Sequence, residues 1–214
     1  PAPDIAYESG FDAGRTLPAT KSLTVCVDFK SAGAYLALQP TIKMARDAGI
    51  ELQWQIIHTP ALREPIDPGA KPDRGTLHKY TRGRYLVDDL RRYAAHELYD
   101  LHDAQRSDFA AAGLLWVINN QGDADAYITA VFARFWQQRA NIDSVADIAE
   151  VLAGLGIEVS GFAGFVETSG VAQAQSQRED LAGQGVSFSP TYLLDGEPFQ
   201  GRQHLPLLRS LLDG

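Results

Sequence analysis

The stretch from Leu23 to Gly49, LTVCVDFKSAGAYLALQPTIKMARDAG, decides how this chain is read. Thr24, Val25, Cys26 and Val27 are β-branched or small, as in a strand buried on both faces, and the apolar run ends at Asp28 and Phe29. Ser31 then stands where a helix should begin, because its hydroxyl can accept from the backbone N–H groups that open a helix without partners. The strand therefore delivers Ser31 to a helix N-terminus. There the dipole is positive, and an anion such as a thiolate is favoured beside the hydroxyl. Tyr35, Leu38, Ile42 and Ala45 recur at steps of three and four, which predicts one buried face of a helix from about Ala32 to Ala48, closed by Gly49. Pro40 lies inside this pattern, removes one backbone hydrogen bond and should kink the helix or divide it in two.

Working outward, Ile50 to His58 (IELQWQIIH) alternates as a second strand, and Pro60, Pro65, Pro68 and Pro72 deny regular structure up to about Arg74. A strand, a helix and a strand in this order predict a parallel pair with a right-handed crossover. Both strands then end at the same edge of the sheet, which places His58 near Ser31, on the edge where open parallel sheets bind ligands. From Leu77 to about Gly183 every periodic signal is helical. One stripe is Tyr85, Leu86, Leu90, Tyr93 and Ala94; others run from Phe109 to Val117, from Ile128 to Trp136, and from Val145 through Ile148, Leu152 and Leu155, with Ser144 as cap. Strand signals return at Thr191 to Leu194 and Glu197 to Gln200, around the two-residue turn Asp195-Gly196, and a last helix covers about Gln203 to Leu212. The helical block is thus an insertion. The chain divides into an arm over 1–21, rich in Pro and Gly, a sheet-bearing part over 22–74 and 184–214, and a helical insertion over 75–183.

Composition narrows the function. With 27 acidic against 19 basic residues the formal charge is −8, which supplies no field to draw phosphates and argues against nucleic acid as the main partner. Cys26 is the single cysteine, so neither a disulfide framework nor a CxxC redox pair is available, and its apolar neighbours make it a buried strand residue. The longest apolar run, Phe109 to Ile118, is too short to span a bilayer, so no membrane partner is expected and the cytoplasm is the default location. His78, His96 and His102 lack partners at metal-ligand spacing, no HExxH or Cys/His cluster occurs, and no metal site is expected. Trp54, Trp116 and Trp136 fall on apolar stripes and read as core.

The order of elements is that of an α/β thioredoxin fold interrupted by an all-helical domain, and Phe188-Ser189-Pro190-Thr191 before the hairpin resembles its cis-proline loop. Asp28-Phe29-Lys30-Ser31 with Tyr35-Leu36-Ala37, then Tyr85, Asp89-Leu90 and Arg92-Tyr93-Ala94, carry a closer likeness. So do Phe135-Trp136 to Ile142, Val151-Leu152, Leu155-Gly156 and Gly185 to Leu205. In these the chain resembles the serine-type branch of the DsbA-like proteins, the 2-hydroxychromene-2-carboxylate isomerases and kappa-class glutathione transferases. The resemblance implies glutathione as cofactor, with Ser31 as the catalytic residue whose hydroxyl holds the sulfur as thiolate. It further implies cofactor binding by Ser189, Pro190, Arg202 and Gln203, with the Ser189 backbone pairing with the glutathione main chain. The thiolate would add to an unsaturated carbon, allow rotation and leave again.

The implied partner is a small aromatic carboxylate, for which His58, Arg84, Arg92 and His204 are substrate-side candidates; a homodimer is the assembly common among relatives. Two departures stand out. The family's proline after the serine is Ala32 here, and its Trp-Gly-x-Asp-Arg is replaced by Gln200-Gly201-Arg202-Gln203-His204, so the acidic contact to the glutathione amino end is absent. The rival expectation is a non-catalytic binding or adaptor protein that kept the scaffold after losing the redox cysteines and that acidic contact.

Overall fold

The computed structural model describes residues 22–95, 98, 101 and 107–212. The expected arm over 1–21, together with His96 and His102, lies outside the described residues. A four-stranded sheet has the order β2-β1-β3-β4, from β1 (Ser22–Val27), β2 (Glu51–Ile56), β3 (Thr191–Leu194) and β4 (Glu197–Gln200). β1 and β2 are parallel from Ser22↔Glu51 to Val27↔Ile56, whereas β3 runs antiparallel to both β1 and β4. The hairpin closes at Asp195 (φ 50°) and Gly196 (φ 82°), the paired positive angles that a tight Asp-Gly turn requires.

β1 is covered on both faces, as its composition predicts. Leu23, Val25 and Val27 enter the main core, while Cys26 faces a smaller cluster with Ile57, Leu181 and Val186. Both leading strands stop short of their expected ends, at Val27 rather than Phe29 and at Ile56 rather than His58. The chain leaves the sheet there because Asp28 and Thr59 are recruited into the network described below.

Helix α1 (Ala32–Ala48) is one continuous helix over the expected bounds, and Pro40 does not divide it into two shorter helices, the competing reading of the sequence. Pro40 is exposed, so the carbonyl its ring leaves without a backbone donor can face water. Gly49 adopts φ 64° and its N–H returns to the last turn, the expected helix stop.

The helical block comprises α2 (Arg74–Tyr93), α3 (Asp108–Asn119), α4 (Ala124–Gln138), α5 (Val145–Gly154), α6 (Phe162–Phe165) and, after a π-helical turn over Val166–Gly170, α7 (Val171–Gly183). The chain closes with a 3₁₀ turn over Arg202–His204 and α8 (Leu205–Leu212). The block fuses with the sheet at the end of β1. Phe29 is wholly buried, edge-on to Tyr127 and tilted against Phe132, and the Trp136 indole donates to the Phe29 carbonyl at 3.2 Å while stacking on Tyr35. Trp54 and Trp136 are core as expected, whereas Trp116 is only half-buried, its indole donating to the Glu158 carbonyl.

The largest departure from expectation is in α2. The α2 stripe is not a core face: Tyr85 (61%), Leu86 (40%) and Tyr93 (54%) are exposed, and Val87 is the buried side chain of that helix. α2 flanks a cavity instead of packing broadly on the core, so Leu86 and Leu90 line an opening. No helix among the described residues is long and apolar enough to cross a membrane.

Candidate functional site

The site is built where β1, β2 and the loop before β3 converge. Ser31 caps α1: the Ala34 N–H donates to its Oγ at 3.2 Å, and its hydroxyl donates to the Ser189 carbonyl at 2.8 Å. The Ser189-Pro190 bond is cis, as the resemblance implied. A Cβ on Gly33 would sit 3.3 Å from the Ser189 carbonyl, so this position keeps α1 and the proline loop in close approach.

Asp28 ties these segments together. Its carboxylate is 1% exposed and accepts four hydrogen bonds: from the Lys30 N–H (3.0 Å) and Ser107 hydroxyl (3.3 Å) on Oδ1, and from the Thr59 N–H (2.8 Å) and hydroxyl (3.0 Å) on Oδ2. Its own N–H donates to the Ser189 Oγ at 2.8 Å, and its carbonyl accepts from the Ser31 N–H at 2.9 Å. A buried carboxylate this fully bonded fixes the entry to α1, the chain after β2, the start of α3 and the proline loop relative to one another. In the sequence Asp28 carries no assigned role, and its one signal is an acid at the end of a run otherwise suited to burial.

Above Ser31 opens a cavity of about 420 Å³. Leu62, Leu86, Leu90, Leu101, Phe188 and Pro60 make its apolar wall, and Lys30, Ser31, Asp89, Ser189, Arg202 and Gln203 its polar part. Among the described residues Asp89 is the one carboxylate in that lining, and it is shared: Arg202 reaches it at 2.9 Å and Arg92 at 3.0 Å, while the Arg202 guanidinium lies 3.9 Å over the Tyr93 ring. Gln203 is exposed and turns its amide back to donate to the Gln200 carbonyl at 2.7 Å.

Of the residues singled out in the sequence, Ser31, Ser189, Pro190, Arg202 and Gln203 line this cavity. His58, Arg84, Arg92 and His204 do not. His58 is exposed, Arg84 faces Asp88 and the Tyr80 ring, Arg92 reaches the cavity only through Asp89, and His204 packs edge-on against Phe199. Lys30 and Asp89 line it without having been expected there. Cys26 faces away in the second cluster, and burial pushes its thiol up to about 12, far from a reactive value. A second cavity, of about 390 Å³, lies at the other end of the sheet. Of its three acids, Asp125 accepts from the Trp54 indole and Asp123 caps α4, while Glu51 is exposed.

A parallel βαβ start, a closing hairpin, a cis-proline loop facing the first turn of α1, and a helical block between them define a thioredoxin-fold protein with a helical insertion. The chain belongs to the DsbA-like thioredoxin family, whose DSBA-like thioredoxin domain it matches over residues 23–213. It is 25% identical over 189 residues to the 2-hydroxychromene-2-carboxylate isomerase of Pseudomonas putida, covering 86% of this chain and 91% of that protein. A solved 2-hydroxychromene-2-carboxylate isomerase superposes with a TM-score of 0.66 at 25% identity, over 88% of this chain and 93% of the other. The cytosolic disulfide reductase DsbM from Pseudomonas aeruginosa, solved with GSH, shares the fold with a TM-score of 0.57 at 16% identity, over 89% and 95% of the two chains.

Proposed function

We propose that this protein is a glutathione-dependent isomerase or transferase acting on a small aromatic carboxylate, in the manner of the 2-hydroxychromene-2-carboxylate isomerases. The observation that carries the reading is Ser31: a hydroxyl at the first turn of α1, facing the proline loop at the floor of an apolar-walled cavity, in a chain whose full-length relatives include that isomerase.

The residues suit the sulfur end of glutathione. Ser31 Oγ keeps the Ala34 N–H as donor while its own proton turns from the Ser189 carbonyl to the sulfur. That single rotation also frees the Ser189 carbonyl to accept from a ligand backbone N–H in an extended pairing. A donor hydroxyl and a helix N-terminus both favour the charged form of a thiol, whose ordinary value is about 8.5. Glutathione, when bound, supplies a thiolate that adds to an unsaturated carbon and leaves after rotation about it. The leucines and Phe188 exclude water from an aromatic substrate, and Gln203 offers the amino end a hydrogen bond in place of a countercharge.

The test is interconversion of 2-hydroxychromene-2-carboxylate with and without reduced glutathione. Turnover should require the thiol and fall on the order of a hundredfold in Ser31→Ala, the scale for losing one donor to a developing charge. Turnover indifferent to glutathione or to Ser31 contradicts the reading. The adaptor alternative draws on one observation, the neutral Gln203 folded onto its own hairpin.

A further inference from the structure

Lys30 differs from every other described lysine and arginine. Those that are half-buried or buried have carboxylate partners: Arg134 with Glu150, Arg178 with Asp108, Arg202 with Asp89. Those with no ion pair to a described carboxylate, such as Arg46, Lys71 and Lys79, are exposed and solvated. Lys30 is half-buried, lines the cavity, and its ammonium makes no hydrogen bond or ion pair with a described residue. The chain has 27 acidic residues and a charge of −8, yet none of the described ones pairs with this cation.

The backbone at Lys30 is nevertheless fixed, since its N–H donates to buried Asp28. The cavity lining thus includes a cationic side chain with no described ion-pair partner, next to Ser31 in the chain and in the same lining as the apolar wall. A cation lining an apolar-walled cavity attracts an anionic group of an entering ligand more strongly than one in open water. The thiol end of a ligand already has the Ser31 hydroxyl and the α1 N-terminus. Arg202 is oriented by Asp89 and Tyr93, not left to turn toward an incoming group.

We infer that Lys30 is the specificity-determining residue for the substrate's carboxylate, its ammonium pairing with that group while the ring lies against the leucines and Phe188. This deepens the function proposed above and rests on its assignment of the cavity, but not on glutathione.

The test is therefore run without glutathione. Wild type, Lys30→Met and Lys30→Arg, each shown folded by circular dichroism, are titrated calorimetrically with trans-cinnamate and with its neutral amide, trans-cinnamamide. Wild type should favour the carboxylate at least about tenfold, the scale of one charge-assisted hydrogen bond. Lys30→Met should bind both probes alike, with amide affinity unchanged, and Lys30→Arg should retain the preference. The inference is overturned if wild type shows no preference or binds neither probe. It is equally overturned if the preference survives in Lys30→Met, including the case where Arg202→Met abolishes it instead. Failure of glutathione to bind, with the carboxylate preference intact, counts against the proposed cofactor alone.

Discussion

At Ser31 one hydroxyl serves two partners, capping α1 and closing on the Ser189 carbonyl, so the ligand-facing groups of the site are held by each other. Asp28 is what keeps them in register. Replacing it by Asn leaves the atoms in place but turns one acceptor oxygen into a donor amide that faces N–H and O–H groups. Asp28→Asn should lower the unfolding free energy by about 2 kcal/mol, the cost of leaving buried donors unpaired, as read from the denaturation midpoint. An unchanged midpoint would mean that the four hydrogen bonds to this carboxylate contribute nothing net. Ser31 was legible in the sequence because strand end, small polar residue and helical period coincide within a few positions. Asp28, Lys30 and Asp89 were not, because their roles arise from partners 31, 79, 113 and 161 positions away, or, for the Lys30 ammonium, from having no described side-chain partner.

Among the elements, the helices of the insertion owe their approach to single small residues. A Cβ on Gly113 of α3 would press on the Tyr127 hydroxyl of α4 and on Ile148 of α5, at 2.8 Å from the latter. That hydroxyl donates to the Ala110 carbonyl at 2.8 Å and cannot simply swing away. Gly113→Ala should destabilise by about 1–3 kcal/mol despite the better helix propensity of alanine, measured by chemical denaturation. A gain in stability would show that α3, α4 and α5 part without cost. The strands β3 and β4 fell where the sequence puts them, since an Asp-Gly turn fixes both ends of a hairpin. α2 did not, because an apolar stripe at helical spacing fits a cavity wall as well as a core face, and only tertiary contacts choose between them.

Across the whole molecule, one apolar core runs from the sheet through the insertion, from Leu23 and Val25 to Tyr127, Phe132 and Trp136. The strand-and-turn signals of the sheet and the periodicity of the helices were readable separately, but their fusion at Phe29 was not. Among the described residues burial raises three titrating groups: Cys26 from 9.0 to about 12, and Tyr127 and Tyr192 above 10.0. A raised folded value leaves stability fully present below the unfolded value and removes it as the pH climbs toward the folded one. The melting temperature should therefore fall from about pH 9 upward, and Cys26→Ala should delay the onset to about pH 10, where the tyrosines begin to ionise. A melting temperature flat to pH 11 would contradict the burial of these groups.

The central claim is that Ser31 and the proline loop hold glutathione through its sulfur, and calorimetric titration with reduced glutathione tests it most directly. Wild type should bind, Ser31→Ala should bind about tenfold more weakly, and Gln203→Asp should bind more tightly than wild type because a carboxylate restores the countercharge to the amino end. Absence of binding by wild type, or binding indifferent to the loss of the Ser31 hydroxyl, would contradict the account.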